Sequence, residues 1–340
     1  MMKKYLLVLL VSILVLTGCS SGSEKGNDKK IETLTVFFIP SRDSKEIIAK
    51  TEPLKGLIKT ELAKDGYEVG NVNIQVSPNY EAAGEALDAG QAHIGFIPAS
   101  TYAMYSQDGN IDVALAASRD GLNKDFVEAK EWNDGEATLP VEEQVTFYRS
   151  LIYAGTSAKG RELADKVNAG MKLTWDDLNS ASWCHSNTTS SAGYVYPSLW
   201  LADQFEGKMI SDLANKVEVT GYPDTAARLA TGQCDVGVGY ADIRRDFETN
   251  WTTEWNQENI WKQTDVIGVT DKIMNDTISI SNKLVDADLK KALQRSFIEI
   301  AKTDEGKEAI SIYNHTGYKE VTDADYDSSR KVLDMLKNKQ

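Results

Sequence analysis

From Leu34 onward the chain alternates two patterns that no single kind of secondary structure can satisfy. Short apolar runs bounded by Pro, Gly or charged residues are separated by longer stretches with apolar residues at helical spacing. Leu34–Ile39 (LTVFFI) reads as a buried strand stopped by Pro40. Residues 47–62 place Ile47, Ile48, Leu54, Leu57, Ile58 and Leu62 on one helical face, and Gly66 ends the helix. Val72–Val76 predicts a second strand, Tyr80–Ala89 a helix closed by Gly90, and Ile94–Ile97 a third strand. Strands joined by helices of this length pair in parallel, with the helices on the sheet faces.

The rhythm breaks at residues 119–145, which are charged, contain Gly121, Gly135 and Pro140, and read as an excursion. Phe147–Ala154 (FYRSLIYA) then predicts a strand crossing to a second lobe. The alternation resumes with strands at Trp175–Leu178, Trp183–Ser186, Val217–Val219 and Val236–Tyr240, and with helices from Ser191 and from Asp224. Val266–Val269 is the expected return crossing. Thr277–Ile280 and two or three C-terminal helices complete the first lobe. The expectation is an α/β protein of two lobes, residues 31–146 with 266–340 and residues 147–265. Each lobe would be a mainly parallel sheet flanked by helices. Two crossing strands make a hinge, and the cleft beside it is where a small ligand binds.

The front of the chain is an address rather than a fold. Lys3 and Lys4 precede an apolar run from Tyr5 to Leu16, broken only by Ser12. About a dozen residues is too short for a bilayer, where about 20 are needed, and reads as the core of a signal peptide over 1–18. Leu16-Thr17-Gly18-Cys19 resembles the lipobox of bacterial lipoproteins, which implies cleavage before Cys19 and acyl chains on its sulfur. A chance cysteine after an ordinary signal is the alternative. The polar segment that follows Cys19, up to Lys30, has nothing to bury and reads as a solvated tether.

The formal charge is -14, and removing the two signal-peptide lysines makes it -16. Such a chain is a poor partner for nucleic acid. An anion would have to be held by local donors, against the field of the whole protein. Beyond Cys19 only Cys184 and Cys234 remain, and outside the cytoplasm an even pair suggests a disulfide. Two separate buried thiols are the alternative. The three histidines lack metal-ligand spacing, so neither a metal nor a cofactor is expected.

Thr188-Thr189-Ser190-Ser191-Ala192-Gly193-Tyr194-Val195-Tyr196-Pro197 is the sharpest motif. Four hydroxyl residues lead into a helix whose first turn has free amides and small side chains, an arrangement suited to a tetrahedral oxyanion. Plain helix capping explains one such hydroxyl equally well.

This run resembles the S-[ST]-S-G-[YF]-x-x-P motif of the phosphate/phosphite/phosphonate-binding family of ABC-transporter solute-binding proteins. The likeness extends through Phe38-Ile39-Pro40-Ser41, Tyr80, Gly90–Gly95, Tyr222–Ala227 and Gly232–Gly237. It implies a type II periplasmic-binding-protein fold. It also implies that Ser190, Ser191 and the Ala192 amide hold the phosphonyl oxygens, beside Thr189, with Tyr80 and Tyr148 lining the cleft. Tyr222 stands where phosphonate binders often have histidine, and Ala192 replaces a serine. Asp242 and Asp276 match positions where some members grip the amine of an aminoalkylphosphonate; the readings without a ligand are a helix cap for Asp242 and a turn residue for Asp276.

Other residues read as structural. Trp251, Trp255 and Trp261 have the spacing of core packing, and His93 of a loop. His185 and Arg42 are each open to a place in the cleft or outside it. No Gly-x-Ser-x-Gly elbow or catalytic pair is legible, so an enzyme is not expected. The expected protein is an extracytoplasmic, membrane-anchored, monomeric binding lipoprotein that closes over a small anionic or zwitterionic ligand and delivers it to an ABC permease. The alternatives are an organic sulfonate or thiamine-like ligand on the same fold, or a lipoprotein that senses its ligand for a membrane receptor.

Overall fold

A computed structural model describes residues 29–337. The expected signal peptide, Cys19 and all but the last residues of the tether lie outside the described residues. Among the described residues twelve strands form two sheets: β1 Lys30–Phe38, β2 Glu68–Val76, β3 Ile94–Ile97, β4 Ile111–Leu122, β5 Pro140–Val145, β6 Phe147–Ala154, β7 Ser182–His185, β8 Asn215–Glu218, β9 Val236–Tyr240, β10 Asp265–Met274, β11 Thr277–Ser281 and β12 Gly317–Glu320. The first sheet has the order β12-β4-β11-β3-β1-β2, with β5 paired to the end of β4. The second has the order β10-β6-β9-β7-β8. Helices flank both. The central strands β3 and β9 are buried along their whole length, which is why they read as unbroken apolar or glycine-rich runs.

Both sheets are mixed, which corrects the expectation of mainly parallel ones. β1 pairs in parallel with β2 and β3, and β7 with β8 and β9. The strands beside the crossings run the other way. β11 is antiparallel to β3 and β4, and β6 is antiparallel to β9 and β10. A chain that leaves one sheet and later returns re-enters without a helical crossover, so nothing obliges it to pair in parallel.

Four local readings also change. The helix expected over 47–62 is two, Ser44–Thr51 and Leu54–Ala63, with Pro53, which has no N–H to give, capping the second. Residues 119–145 are an arm rather than a loose excursion: β4 runs on to Leu122, β5 pairs back antiparallel to it, and Trp132 is buried between them in sequence. Trp175–Leu178 belongs to a short helix, Trp175–Asn179, set by a capping box between Thr174 and Asp177. The return crossing is not at Val266–Val269, because β10 continues along β6 to Met274 in the second sheet.

The chain therefore crosses between sheets at Thr146 and at Asn275–Asp276. These crossings are bonded to each other: the Asn275 amide donates to the Thr146 carbonyl at 2.9 Å. Its side-chain Nδ2 donates to the carbonyls of Ala117 at 2.9 Å and Val145 at 3.1 Å.

Cys184 and Cys234 form a disulfide, with Cα atoms 5.9 Å apart, next to the buried Val219. It joins the end of β7 to the turn before β9 across 50 residues of chain. Replacing both cysteines by alanine should lower stability by about 2–4 kcal/mol. Urea denaturation of the two proteins measures this, and unchanged stability would mean the bridge is not formed.

Candidate ligand-binding cleft

The turn after β7 and the helix that follows it build the floor of the site. Ser190 caps the helix that begins at Ser191 and continues through Tyr196–Gln204, accepting from the Gly193 amide at 3.2 Å. A side chain at Gly193 would bring its Cβ to 2.4 Å from Ser186 Cβ, so this turn closes only with glycine. Ser150 on β6 fixes the start of the same helix, donating to the Ala192 carbonyl at 2.6 Å. Gly239 on β9 gives helix Tyr222–Ala230 room to lie close: a Cβ there would sit 3.2 Å from the Tyr222 ring. That approach puts the Tyr222 hydroxyl 3.3 Å from Ser190 Oγ.

Above this floor lies a cavity of about 30 Å³ between the two sheets. Second-lobe groups lining it are Tyr148, Ser190, Ser191, Tyr222 and Tyr240. The first lobe supplies Ser41, Arg42, Tyr80, Arg119, Asp276, Tyr313 and Asn314. Burial, the main cause in each case, raises the pKa of Tyr80, Tyr148, Tyr240 and Tyr313, and takes Tyr222 to about 12. At neutral pH all five keep their protons; Tyr240 gives its own to Asp246 Oδ2 and Tyr313 to the Ile39 carbonyl, which leaves Tyr80, Tyr148 and Tyr222 to donate into the cavity.

Two buried ion pairs frame the cavity. Arg119 Nη2 meets Asp276 Oδ2 at 3.0 Å, with the guanidinium 4.7 Å above the Tyr148 ring. His315 Nε2 lies 3.2 Å from the same carboxylate oxygen, and its Nδ1 lies 3.4 Å from the Tyr318 hydroxyl. Burial alone would raise the Asp276 pKa, but His315 and Arg119 outweigh it and hold the carboxylate below its usual range. His315 moves down, because its burial outweighs the attraction of Asp276. A neutral ring then donates from Nε2 to Asp276 and accepts at Nδ1 from Tyr318.

The second pair spans the lobes. Arg42 Nη2 reaches Asp246 Oδ2 at 2.5 Å, where Asn314 Nδ2 at 2.8 Å and the Tyr240 hydroxyl at 2.5 Å also donate. Across the floor, the Ser100 amide donates to Ser191 Oγ at 3.0 Å. The lobes are thus closed on each other.

Of the expected site residues, Tyr80, Tyr148, Ser190, Ser191, Tyr222 and Asp276 line one cavity. Thr189 and Ala192 do not: the Thr189 hydroxyl donates to Asn187 Oδ1 at 2.9 Å, and Ala192 is buried behind the floor. Asp242 is a correction. Its carboxylate caps helix Ile243–Thr253 and is taken up by Arg244 at 2.7 Å, Thr138 at 2.9 Å and Tyr153 at 3.2 Å. A carboxylate so occupied and fully buried has no lone pair to offer an amine. Arg42 is a cavity residue, whereas His185 is turned to the Ser186 carbonyl and the Tyr194 ring. His93 Nδ1 accepts from the Thr35 amide, and Trp251 and Trp261 are core. Arg119 went unread because it lies in β4 just after an alanine-rich run (Val113–Ala117) that lacks the β-branched signature of a strand. Among the described residues no group of His, Cys, Asp or Glu could hold a metal, and no helix is long and apolar enough to cross a membrane.

Residues 36–326 match the model of a family described as the phosphonate periplasmic substrate-binding proteins of ABC transporters. The chain belongs to this family. It is similar to the phosphate-import protein PhnD of Mycolicibacterium smegmatis, with 23% identity over 337 residues, covering 95% of this chain and 93% of that one. Its fold is similar to a binding component of an ABC phosphonate transporter from Pseudomonas aeruginosa, with TM-score 0.65, 15% identity, and 91% and 88% of the two chains covered. It is also similar to a Prochlorococcus marinus protein in complex with methylphosphonate, with TM-score 0.61, 14% identity, and 91% and 99% covered. The protein is thus an extracytoplasmic substrate-binding protein of the phosphonate family of ABC transporters, with a permease as partner. Its family is one of transport proteins rather than enzymes.

All three histidines have pKa values lowered by burial. The unfolded chain therefore takes up protons below about pH 6.5 while the folded protein does not, and stability falls as the pH drops through this window. Asp276 acts lower: its depressed pKa contributes stability that is lost only as pH falls below the ordinary carboxylate range. Midpoints of urea unfolding from pH 7 to 5 should fall, and His315→Gln should flatten the fall by up to about 1.4 kcal/mol per pH unit. A flat wild-type profile would contradict the buried, neutral assignment.

Proposed function

We propose that this protein is a monomeric lipoprotein, anchored through Cys19, that captures a phosphorus oxyanion at Ser190 and Ser191 and closes its lobes over it. Residues 31–146 with the C-terminal segment form the first lobe and β6–β10 the second. The observation that carries this reading is the convergence of donors on one closed cavity. The Ser190 hydroxyl, the protonated phenols of Tyr80, Tyr148 and Tyr222, and Arg119 face it, beside a Ser191 hydroxyl bonded to Ser100, and the nearby carboxylate is already compensated by Arg119 and His315. Such a lining suits an anion rich in acceptor atoms. The M. smegmatis relative is named for phosphate import and the P. marinus structure holds methylphosphonate, both of which fit this chemistry.

In this mechanism the ligand docks on the second-lobe floor, and Tyr80, Tyr313 and Arg42 of the first lobe then close over it. The Arg42–Asp246 contact completes the closed form. The permease reads the resulting lobe geometry. Asp276 serves chiefly to aim Arg119, and an aminoalkylphosphonate gains nothing over methylphosphonate.

Thermal unfolding in phosphate, phosphite, methylphosphonate, 2-aminoethylphosphonate, taurine and sulfate tests the ligand class. A ligand at 100 times its Kd adds about 2.7 kcal/mol of stability. The phosphorus compounds should stabilise and taurine should not. Ser190→Ala should weaken the binding about tenfold. A shift with 2-aminoethylphosphonate alone, lost in Asp276→Asn, would instead make Asp276 an amine ligand.

Small-angle X-ray scattering tests closure. The radius of gyration should fall when the ligand is added, and an unchanged value would rule out the hinge mechanism.

A further inference from the structure

A second and much larger cavity adjoins the small one. This neighbour has a volume of about 570 Å³ and shares Arg119, Tyr148 and Asn314 with the cradle cavity. A volume of about 30 Å³ accommodates a compact oxyanion head, one to three water-sized positions, and no more. The larger volume falls within the range of about 300–1,000 Å³ found for organic ligands.

The walls of the second cavity differ from those of the first. The arm between β4 and β6 contributes the buried Trp132 together with Val141 and Val145, and the start of β6 contributes Phe147. These form an apolar face. Cations border this face: Lys272 Nζ lies 3.7 Å above the Phe147 ring, and Arg149 and Arg245 line the same cavity. Arg149 and Lys272 share the single carboxylate of Asp125, at 2.6 Å and 3.3 Å. Arg245 comes no nearer to an acid than 3.7 Å, at Asp246, whose other oxygen is already held by Arg42, Tyr240 and Asn314. The cavity is lined by five cations (Arg119, Lys124, Arg149, Arg245 and Lys272) against three acids (Asp120, Asp125 and Glu143), a small local surplus of positive charge in a chain of net charge -14. At the junction stands Arg119, whose Nη2 holds Asp276 while its Nε is buried without a hydrogen-bond partner. A buried guanidinium N–H without a partner marks a place where an acceptor is due.

We propose that the larger cavity is a second compartment of the binding site, one that takes the carbon substituent of the phosphorus ligand, and that this substituent is apolar with an anionic end. The inference rests on the reading of the Ser190–Ser191 cavity as the oxyanion site. The phosphorus head sits among the hydroxyls, and the ester or carbon link passes between Arg119 and Tyr148. The apolar body lies along Trp132 and the valines, and the far acid meets Arg245. The preferred ligand class is then an organic phosphonate or phosphate monoester with a bulky, carboxylated substituent, rather than inorganic phosphate.

Calorimetric titration of the full-length chain, purified in detergent, with methylphosphonate, phenylphosphonate and 3-carboxyphenylphosphonate tests this. Phenylphosphonate should bind about tenfold or more tightly than methylphosphonate, and the carboxylated compound several-fold tighter again. Arg245→Gln should erase the carboxylate's gain, and Val141→Trp, which fills the apolar side at a partly exposed position, should erase the phenyl gain. Unchanged melting temperatures without ligand would show that both variants fold. Methylphosphonate binding with no gain from phenyl would overturn the second compartment and leave the oxyanion cradle standing. A carboxylate gain that survives Arg245→Gln would overturn the anionic end. Failure of all three phosphonates to bind would overturn the cradle and this inference together.

Discussion

Asp276 sits where the chain re-enters the first sheet, and three segments meet at its carboxylate. Arg119 arrives from the last third of β4, His315 from the loop before β12, and Asp276 itself from the crossing just before β11. Each group would be costly alone. A buried carboxylate or guanidinium stripped of its partner costs about 3–5 kcal/mol, because the charge left behind has no water to turn to. Together they are compensated, and their geometry is then imposed on everything nearby. Arg119 is held over Tyr148 and within 5.9 Å of the Tyr240 ring, both on the second sheet. The first lobe thereby presents a fixed cation to the second.

This arrangement accounts for how an acidic protein can hold an anion. The field of the whole chain opposes the ligand, so long-range attraction is of little use. The cavity relies on short contacts. The phenols of Tyr80, Tyr148 and Tyr222, kept protonated by burial, and a serine hydroxyl fixed by a helix start meet within one small cavity. Hydroxyl donors carry no net charge to desolvate, so collecting many of them in a closed site is cheaper than collecting cations. The two arginines that do line the site are each matched by an aspartate.

The sequence was most legible where one residue type has one strong local use. Thr188–Ser191 before a small-residue helix start, Tyr80 at a helix head, the buried runs of β3 and β9 and the cysteine pair all stand where the local reading puts them. What was lost depended on contacts across the chain. Nothing near Arg119 says that Asp276, 157 residues later, will neutralise it, and the alanine-rich run of β4 is a strand only because β11 and β12 flank it. Asp242 shows the converse. Its position in the motif pattern suggested an amine, but Arg244 two residues on was the cation it served. The mixed sheets were lost for the same reason, since strand direction after a crossing is decided by neighbours the local pattern does not name.

Asn275 ties the two crossings side by side, its backbone bonded to Thr146 and its side chain to Ala117 and Val145. Two independent tethers would let the lobes twist, slide and tilt separately. Two tethers bonded together form one flexure with a single axis, so opening and closing follow a single coordinate. In the proposed closure the permease meets a shape with one adjustable angle, and it can distinguish loaded from empty without touching the ligand.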